Sequence, residues 1–164
     1  MLKKIFPLII AALALLILPV FVRDDYILLA FINILFFGYL ATAWNIVGGF
    51  AGQLSFGHAA FMAIGAYVTA ILYIYTGLTP WIGMIIGGIC SALVAVLIGI
   101  PTFKLKGAYY AIATLAFAGG LLTILNTVKH IGPIDLGAAE GIDIPYDSEA
   151  TFLDFQFVSK VPYY

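Results

Sequence analysis

GGFAGQLSFGH, residues 48–58, is the stretch whose reading decides the fold. Four of its eleven residues are glycine, and Gln53, Ser55 and His58 are polar. One uncharged apolar run, Tyr26 to Val47, precedes it, and another, Ala59 to Tyr75, follows. Lipid accepts non-helical backbone only where protein or a water-filled cavity covers it, because an unpaired N–H or C=O in hydrocarbon is costly. Residues 48–57 therefore read as a break between two membrane helices, facing protein or a solute path.

The surroundings exclude a soluble domain. Of the 164 residues, 64% are hydrophobic and 9% charged, against roughly 45–50% and 25% in soluble domains. No Asp, Glu, Lys or Arg occurs from Tyr26 to Phe103. That is enough chain for several crossings at about 20 residues each. The fold class expected is all-α: a polytopic bundle of about five transmembrane helices. The net charge of −1 argues neither for nor against nucleic acid, but there is no basic patch, and no nucleic-acid partner is expected. The lone Cys90 cannot form an intrachain disulfide and reads as a small hydrophobe. His58 and His130 lie far apart in sequence with no cysteine cluster, so neither a metal site nor a cofactor is expected.

Working outward, the expected spans are residues 5–22, 26–47, 58–75, 81–100 and 108–128, forming a transmembrane bundle over 1–128. Lys3 and Lys4 precede the first span, which is long for a signal core and lacks a small-x-small cleavage site before Arg23. It reads as an uncleaved helix, with Pro7 in its first turn and Pro19 near its end. Trp44 closes the second span, where interfacial aromatics concentrate. Ala59, Ala63, Ala66 and Ala70 give the third span a flat face for helix contact. Pro80 suits the first position of the fourth.

The fourth span carries Gly83, Gly87, Ser91, Ala95 and Gly99, each four residues after the last. Such a ladder of small residues lets two helix backbones approach, so it reads as a packing seam inside a bundle. Pro101 is expected to end that span, and Gly119 and Gly120 offer a kink in the fifth. Residues 129–164 hold six acids and read as a polar extracytoplasmic loop with a short helix or strand pair. The closing VPYY looks like the truncated start of a next helix. Five crossings put Lys3, Lys4, Lys104 and Lys106 on one side, against Arg23 and Lys129 on the other. Lys160 lies beyond the range that counts. The excess of basic residues places the N-terminus in the cytoplasm.

GGFAGQLSFGHAAFMAIGAYVTAIL strongly resembles a segment shared by permease subunits of prokaryotic branched-chain amino acid ABC transporters. LKGAYYAIATLAFA, residues 105–118, resembles a second signature, that of the M-type subunit. The two lie in the family's order, and the resemblance covers most of residues 26–145. Beyond the fifth span, LGAAEGI (136–142) keeps Gly137, Glu140 and Gly141 of the family's glycine-rich loop. Ala138 and Ala139 stand where the family has a glycine and a hydroxyl. The charged loop that docks ATPase subunits is not recognisable here, so the chain resembles the N-terminal half, one five-helix repeat of an inverted pair.

The resemblance implies a membrane subunit that is not itself an enzyme, moving branched-chain amino acids into the cell across the prokaryotic plasma (inner) membrane. ATP would be hydrolysed in partner subunits, and no GxxxxGK[ST] loop is present. Implied partners are a second permease subunit, two ATP-binding subunits, an extracytoplasmic amino-acid-binding protein and membrane lipid. Two alternatives stand beside this: a non-transporting truncated fragment, and a permease for a related small solute such as urea.

The translocation-path candidates are Gly48, Gly49, Gly52, Gln53, Ser55, Gly57 and His58. Exposed amides at the start of the third span would carry partial positive charge toward a carboxylate. Ser55 and Gln53 would add uncharged polar groups. The plainer reading is that the glycines let helices cross, Ser55 or Gly57 caps the third span, and His58 bonds a carbonyl. Tyr109 and Tyr110 read either as interfacial anchors or as lining of an inner mouth. Lys104 and Lys106 read as topology-setting charges or as an ATPase contact. A third class, an intramembrane hydrolase using Ser55, would need a base on a facing helix at matched depth.

Overall fold

The computed structural model describes residues 24–145 and, singly, Phe6, Val22, Asp154 and Gln156. The first expected span, 5–22, and the closing VPYY lie outside the described residues, apart from Phe6 and Val22. Four described helices are long and apolar enough to cross a membrane. They are α1 (Asp25–Asn45), α2 (His58–Thr76), α3 (Pro80–Thr102) and α4 (Ala108–Thr127). The last three run about 28 to 35 Å at 1.5 Å per residue, matching a hydrocarbon core of about 30 Å. Ile85, Ile89, Leu93, Val96, Leu97 and Ile100 leave α3 with an exposed apolar surface. Water does not tolerate so large a patch on a monomer, whereas lipid does. The protein is an all-α, multi-pass membrane protein.

The described residues fall into two units that divide within α1, after Ala41. In the first, Asp24 caps α1: its Oδ1 accepts from the Tyr26 amide at 2.9 Å, and its carbonyl from Leu28 at 3.0 Å. A short acceptor outside the first turn satisfies amides that have no partner within the helix. Asp25 adds negative charge at the helix's positive end.

In the second unit, α1 ends at Asn45, and Ile46–Phe50 winds as a π turn. The Ala51 amide reaches back to the Ile46 carbonyl at 3.2 Å, and the Gln53 amide to Val47 at 3.1 Å. The break thus begins two residues before Gly48, with wider winding rather than open coil. α2 and α3 form an antiparallel hairpin. Its turn starts at Gly77, whose left-handed φ of 67° lets its amide close on the Tyr73 carbonyl. Pro80 opens α3 at its first position, where a missing N–H is harmless.

The hairpin seam is made of three rungs. A Cβ on Gly87 would come within 2.6 Å of the Gly65 carbonyl oxygen, so the two backbones touch there. The Ser91 hydroxyl donates to the Phe61 carbonyl at 2.7 Å. Thr69 packs against Gly83 and donates its own hydroxyl to Gly65 at 2.8 Å. On α2 these rungs are Phe61, Gly65 and Thr69, not the expected alanine face. Ala59 and Ala63 instead line a groove against α4, where Phe61 and Phe117 pack with ring centroids 5.6 Å apart.

α3 runs through Pro101 to Thr102 rather than stopping at the proline. Pro101 leaves the Leu97 carbonyl without its usual helical donor, and one residue on the Thr102 hydroxyl donates to the Ile98 carbonyl at 2.7 Å. α4 stays helical through Gly119 and Gly120. Beyond it, His130–Ile131 and Ile134–Asp135 pair as a two-stranded hairpin, His130 opposite Asp135. The Tyr75 hydroxyl, at the end of α2, accepts from the Asp135 amide at 2.7 Å. A 3-10 turn, Ala138–Glu140, follows, with Ala138 at a left-handed φ of 48°.

Candidate functional site

The break is held by side chains on both flanks. The Trp44 indole lies over Gly48, where an added Cβ would sit 2.9 Å from the ring. Its Nε1–H donates to the Ser55 carbonyl at 2.8 Å. Trp44 thus clamps the far end of the break to the end of α1, a role beyond the interfacial one expected. Asn45 lies over Gly49 in the same way. Gly52 turns the chain at a φ of 66°.

From the other side, Thr114 of α4 accepts the Phe56 amide at 3.1 Å and donates to the Ala111 carbonyl at 2.9 Å. Ser55, only 3% exposed, accepts the Gly57 amide through its hydroxyl at 3.3 Å. The Gly57 carbonyl takes the amides of Ala60 and Phe61. Gly57 is the N-cap of α2 and has no side chain to cap with. The amides of Phe56, Gly57, Ala60 and Phe61 are therefore already bonded, so these four do not supply the exposed donors expected at the start of this helix.

A cleft of about 320 Å³ opens between the break, α2, the end of α3 and the start of α4. Gln53, Ser55, His58, Thr102, Tyr110 and Thr114 give it polar groups, and Val47, Phe61, Ala95, Ile98 and Phe103 are among its apolar walls. Among the described residues no Asp, Glu, Lys or Arg lines it. Among the described residues the His58 Nδ1 is buried without a hydrogen-bond partner. A buried unpaired nitrogen costs about 1–3 kcal/mol, and this one is enclosed by the packing at the start of α2 rather than open to the cleft.

A second cavity of about 340 Å³ lies at the 103–107 turn, lined by Gly52, Leu54, Leu105, Lys106 and Gly107. It shares Gln53, Phe103 and Tyr110 with the cleft. The Phe103 and Tyr110 rings stack with centroids 6.3 Å apart.

The candidates thus separate. Gln53, Ser55 and His58 come together in the cleft. Gly48 and Gly49 receive the side chains of Trp44 and Asn45. Tyr110, 7% exposed, lines both cavities, whereas Tyr109 is 74% exposed. Of the packing ladder, Gly83, Gly87 and Ser91 meet α2, while Ala95 and Gly99 line the cleft. Lys104 and Lys106 are exposed in the 103–107 turn. Thr114 was not a candidate. It is one of three threonines on α4, and nothing in its spacing separates it from Thr123 and Thr127, which bond their own helix. Among the described residues no group of His, Cys, Asp and Glu could hold a metal ion.

A multi-pass helical membrane protein with a clamped helix break beside an uncharged cleft has the parts of a permease. The family model of the permease component of branched-chain amino acid transport systems matches residues 26–161. The chain belongs to that family, whose members are transport components and not themselves enzymes. It is 41% identical over 97 residues to the high-affinity branched-chain amino acid transport system permease protein LivM of Salmonella typhimurium. It has the same identity, over the same length, to LivM of Escherichia coli. The match covers 57% of this chain and 23% of each relative. The chain therefore spans well under half the length of the relatives it matches. No solved structure matches it significantly.

Proposed function

We propose that the chain is a membrane-spanning part of a permease subunit in an ABC importer. The importer moves branched-chain amino acids into the cell, and ATP is hydrolysed by partner subunits. In this reading it sits in the prokaryotic inner membrane, with its N-terminus and the Lys104–Lys106 turn in the cytoplasm. Its partners are a second permease subunit, two ATP-binding subunits and an extracytoplasmic binding protein that selects the solute.

The observation that carries the reading is the cleft at the break, which Gln53 and His58 border and which no Asp, Glu, Lys or Arg lines among the described residues. A branched aliphatic side chain needs apolar walls, which Phe61, Ala95 and Ile98 supply. Its ammonium and carboxylate need polar partners that bind weakly enough to release, because conduction fails where binding is too strong. Gln53 and His58 offer such partners without fixed charge in the cleft. The Ser55 hydroxyl already accepts the Gly57 amide, which suits a loop anchor better than a nucleophile.

The test is uptake of radiolabelled leucine in a strain lacking its own permease, supplied with the full-length gene and its transporter neighbours. ATP-dependent uptake is expected. His58→Ala is expected to lower it about tenfold, as removal of one 1.4 kcal/mol contact would. No ATP-dependent leucine uptake would sink the reading.

A further inference from the structure

We propose that Phe103 is the constriction of the path and sets the width through which a solute leaves the cleft. The inference deepens the permease reading and rests on it. Phe103, Tyr110 and Gln53 are the residues common to the inner cleft and to the cavity at the 103–107 turn, so they form the wall between the two.

The three are not equally fixed. Tyr110 is 7% exposed and belongs to the buried face of α4. Gln53 belongs to a loop tied down at Trp44 and Thr114. Phe103 is 61% exposed and follows the last turn of α3. Its ring stacks on Tyr110 at 16° and rests on Gly99, where an added Cβ would lie 2.9 Å from the ring. The ring therefore has a seat that only glycine leaves free, a rigid aromatic neighbour, and open space to turn into. Rotation about its side-chain bonds would join the two cavities without moving a helix. The last step of the small-residue ladder thus becomes a ring seat, not a helix contact.

The test is thiol accessibility in permeabilised membranes, where orientation does not enter. Ala95→Cys, in a Cys90→Ala background, places a thiol in the cleft. A bulky charged methanethiosulfonate is the probe. Removing a constriction that leaves an open state about 0.1–10% populated raises the rate at least roughly tenfold. Phe103→Ala is expected to raise labelling by that factor and Gly99→Ala, which unseats the ring, by less. Phe103→Tyr, which keeps the ring, is expected to label at the parental rate. Equal labelling with and without Phe103→Ala overturns the proposal, and so does a rise with Phe103→Tyr as large as with Phe103→Ala. The readout needs no transport, so failed leucine uptake with ring-dependent labelling would count against the solute assignment alone.

Discussion

Between Gly83 and Ser91 the small residues of α3 bring its backbone against α2, whereas at Ala95 the same four-residue spacing borders the cleft and at Gly99 it seats the Phe103 ring. The difference lies in the partner. Opposite the first three rungs stand Thr69, Gly65 and Phe61, whose backbone groups accept contact and hydrogen bonds. Opposite the last two α2 has ended, and the break takes its place, held off by Trp44 and Thr114. A small residue is thus a packing device only where another backbone comes to meet it. Elsewhere it leaves room.

That contrast can be broken most directly at Gly87. Gly87→Val pushes a side chain into the Gly65 carbonyl, and neither backbone can yield without opening the hairpin. Overpacking costs typically 1–3 kcal/mol, and the upper end is expected here. A thermal melt of the detergent-solubilised protein should show the largest loss of any single change on the ladder. A Tm equal to the parent's would mean that the seam is looser than described.

The next effect is expected where the break is clamped. Thr114→Val keeps the shape but leaves the Phe56 amide without its acceptor, and at this part-buried site the lower end of about 1–3 kcal/mol is expected. Thr114→Ser should restore most of that loss. Trp44→Phe removes the indole N–H from the Ser55 carbonyl, at an equally part-buried site, and should cost about as much. If both changes were silent in the melt, the break would not need its anchors.

Ala95→Val sharpens the comparison from the other side. It adds volume where the cleft has room, so stability is expected to change by less than about 0.5 kcal/mol, while leucine uptake falls. A Tm loss as large as that of Gly87→Val would make the ladder uniform after all. The smallest expected effect lies outside both regions. Ala138 holds a left-handed φ of 48°, a conformation that costs an L-residue roughly 1–2 kcal/mol. Ala138→Gly relieves this but gives back roughly 0.5–1 kcal/mol in chain entropy, so a small rise in Tm is expected.

Much of the architecture could be read from residue types alone. The lack of charge between Tyr26 and Phe103 left membrane helices as the only stable form for that chain. The cluster of glycines at 48–57 marked where regular winding fails. What escaped reading has identifiable causes. Alanines are neutral between helix packing and cavity lining, so of Ala59, Ala63, Ala66 and Ala70 only Ala70 is buried, while Ala59 and Ala63 line the groove against α4. Gly65, the single glycine of α2, was the better pointer to the seam. The π turn at Ile46–Phe50 depends on Trp44 and Asn45 folding back over Gly48 and Gly49, a three-dimensional match that no periodicity displays. Thr114 looks like any intrahelical hydroxyl until the Phe56 amide is placed beside it. Pro101 signals a stop, yet its cost falls to one missing bond when it stands in the final turn.

The bond from the Asp135 amide to Tyr75 gives α2 a consequence at its far end. Tyr75 is one residue short of the helix terminus, and His58 begins it, some 26 Å away at 1.5 Å per residue. The loop after α4 and the imidazole in the cleft are therefore attached to opposite tips of one rod. A shift of the Tyr75 tip along the helix axis would carry His58 with it, since one ladder of backbone hydrogen bonds joins the two.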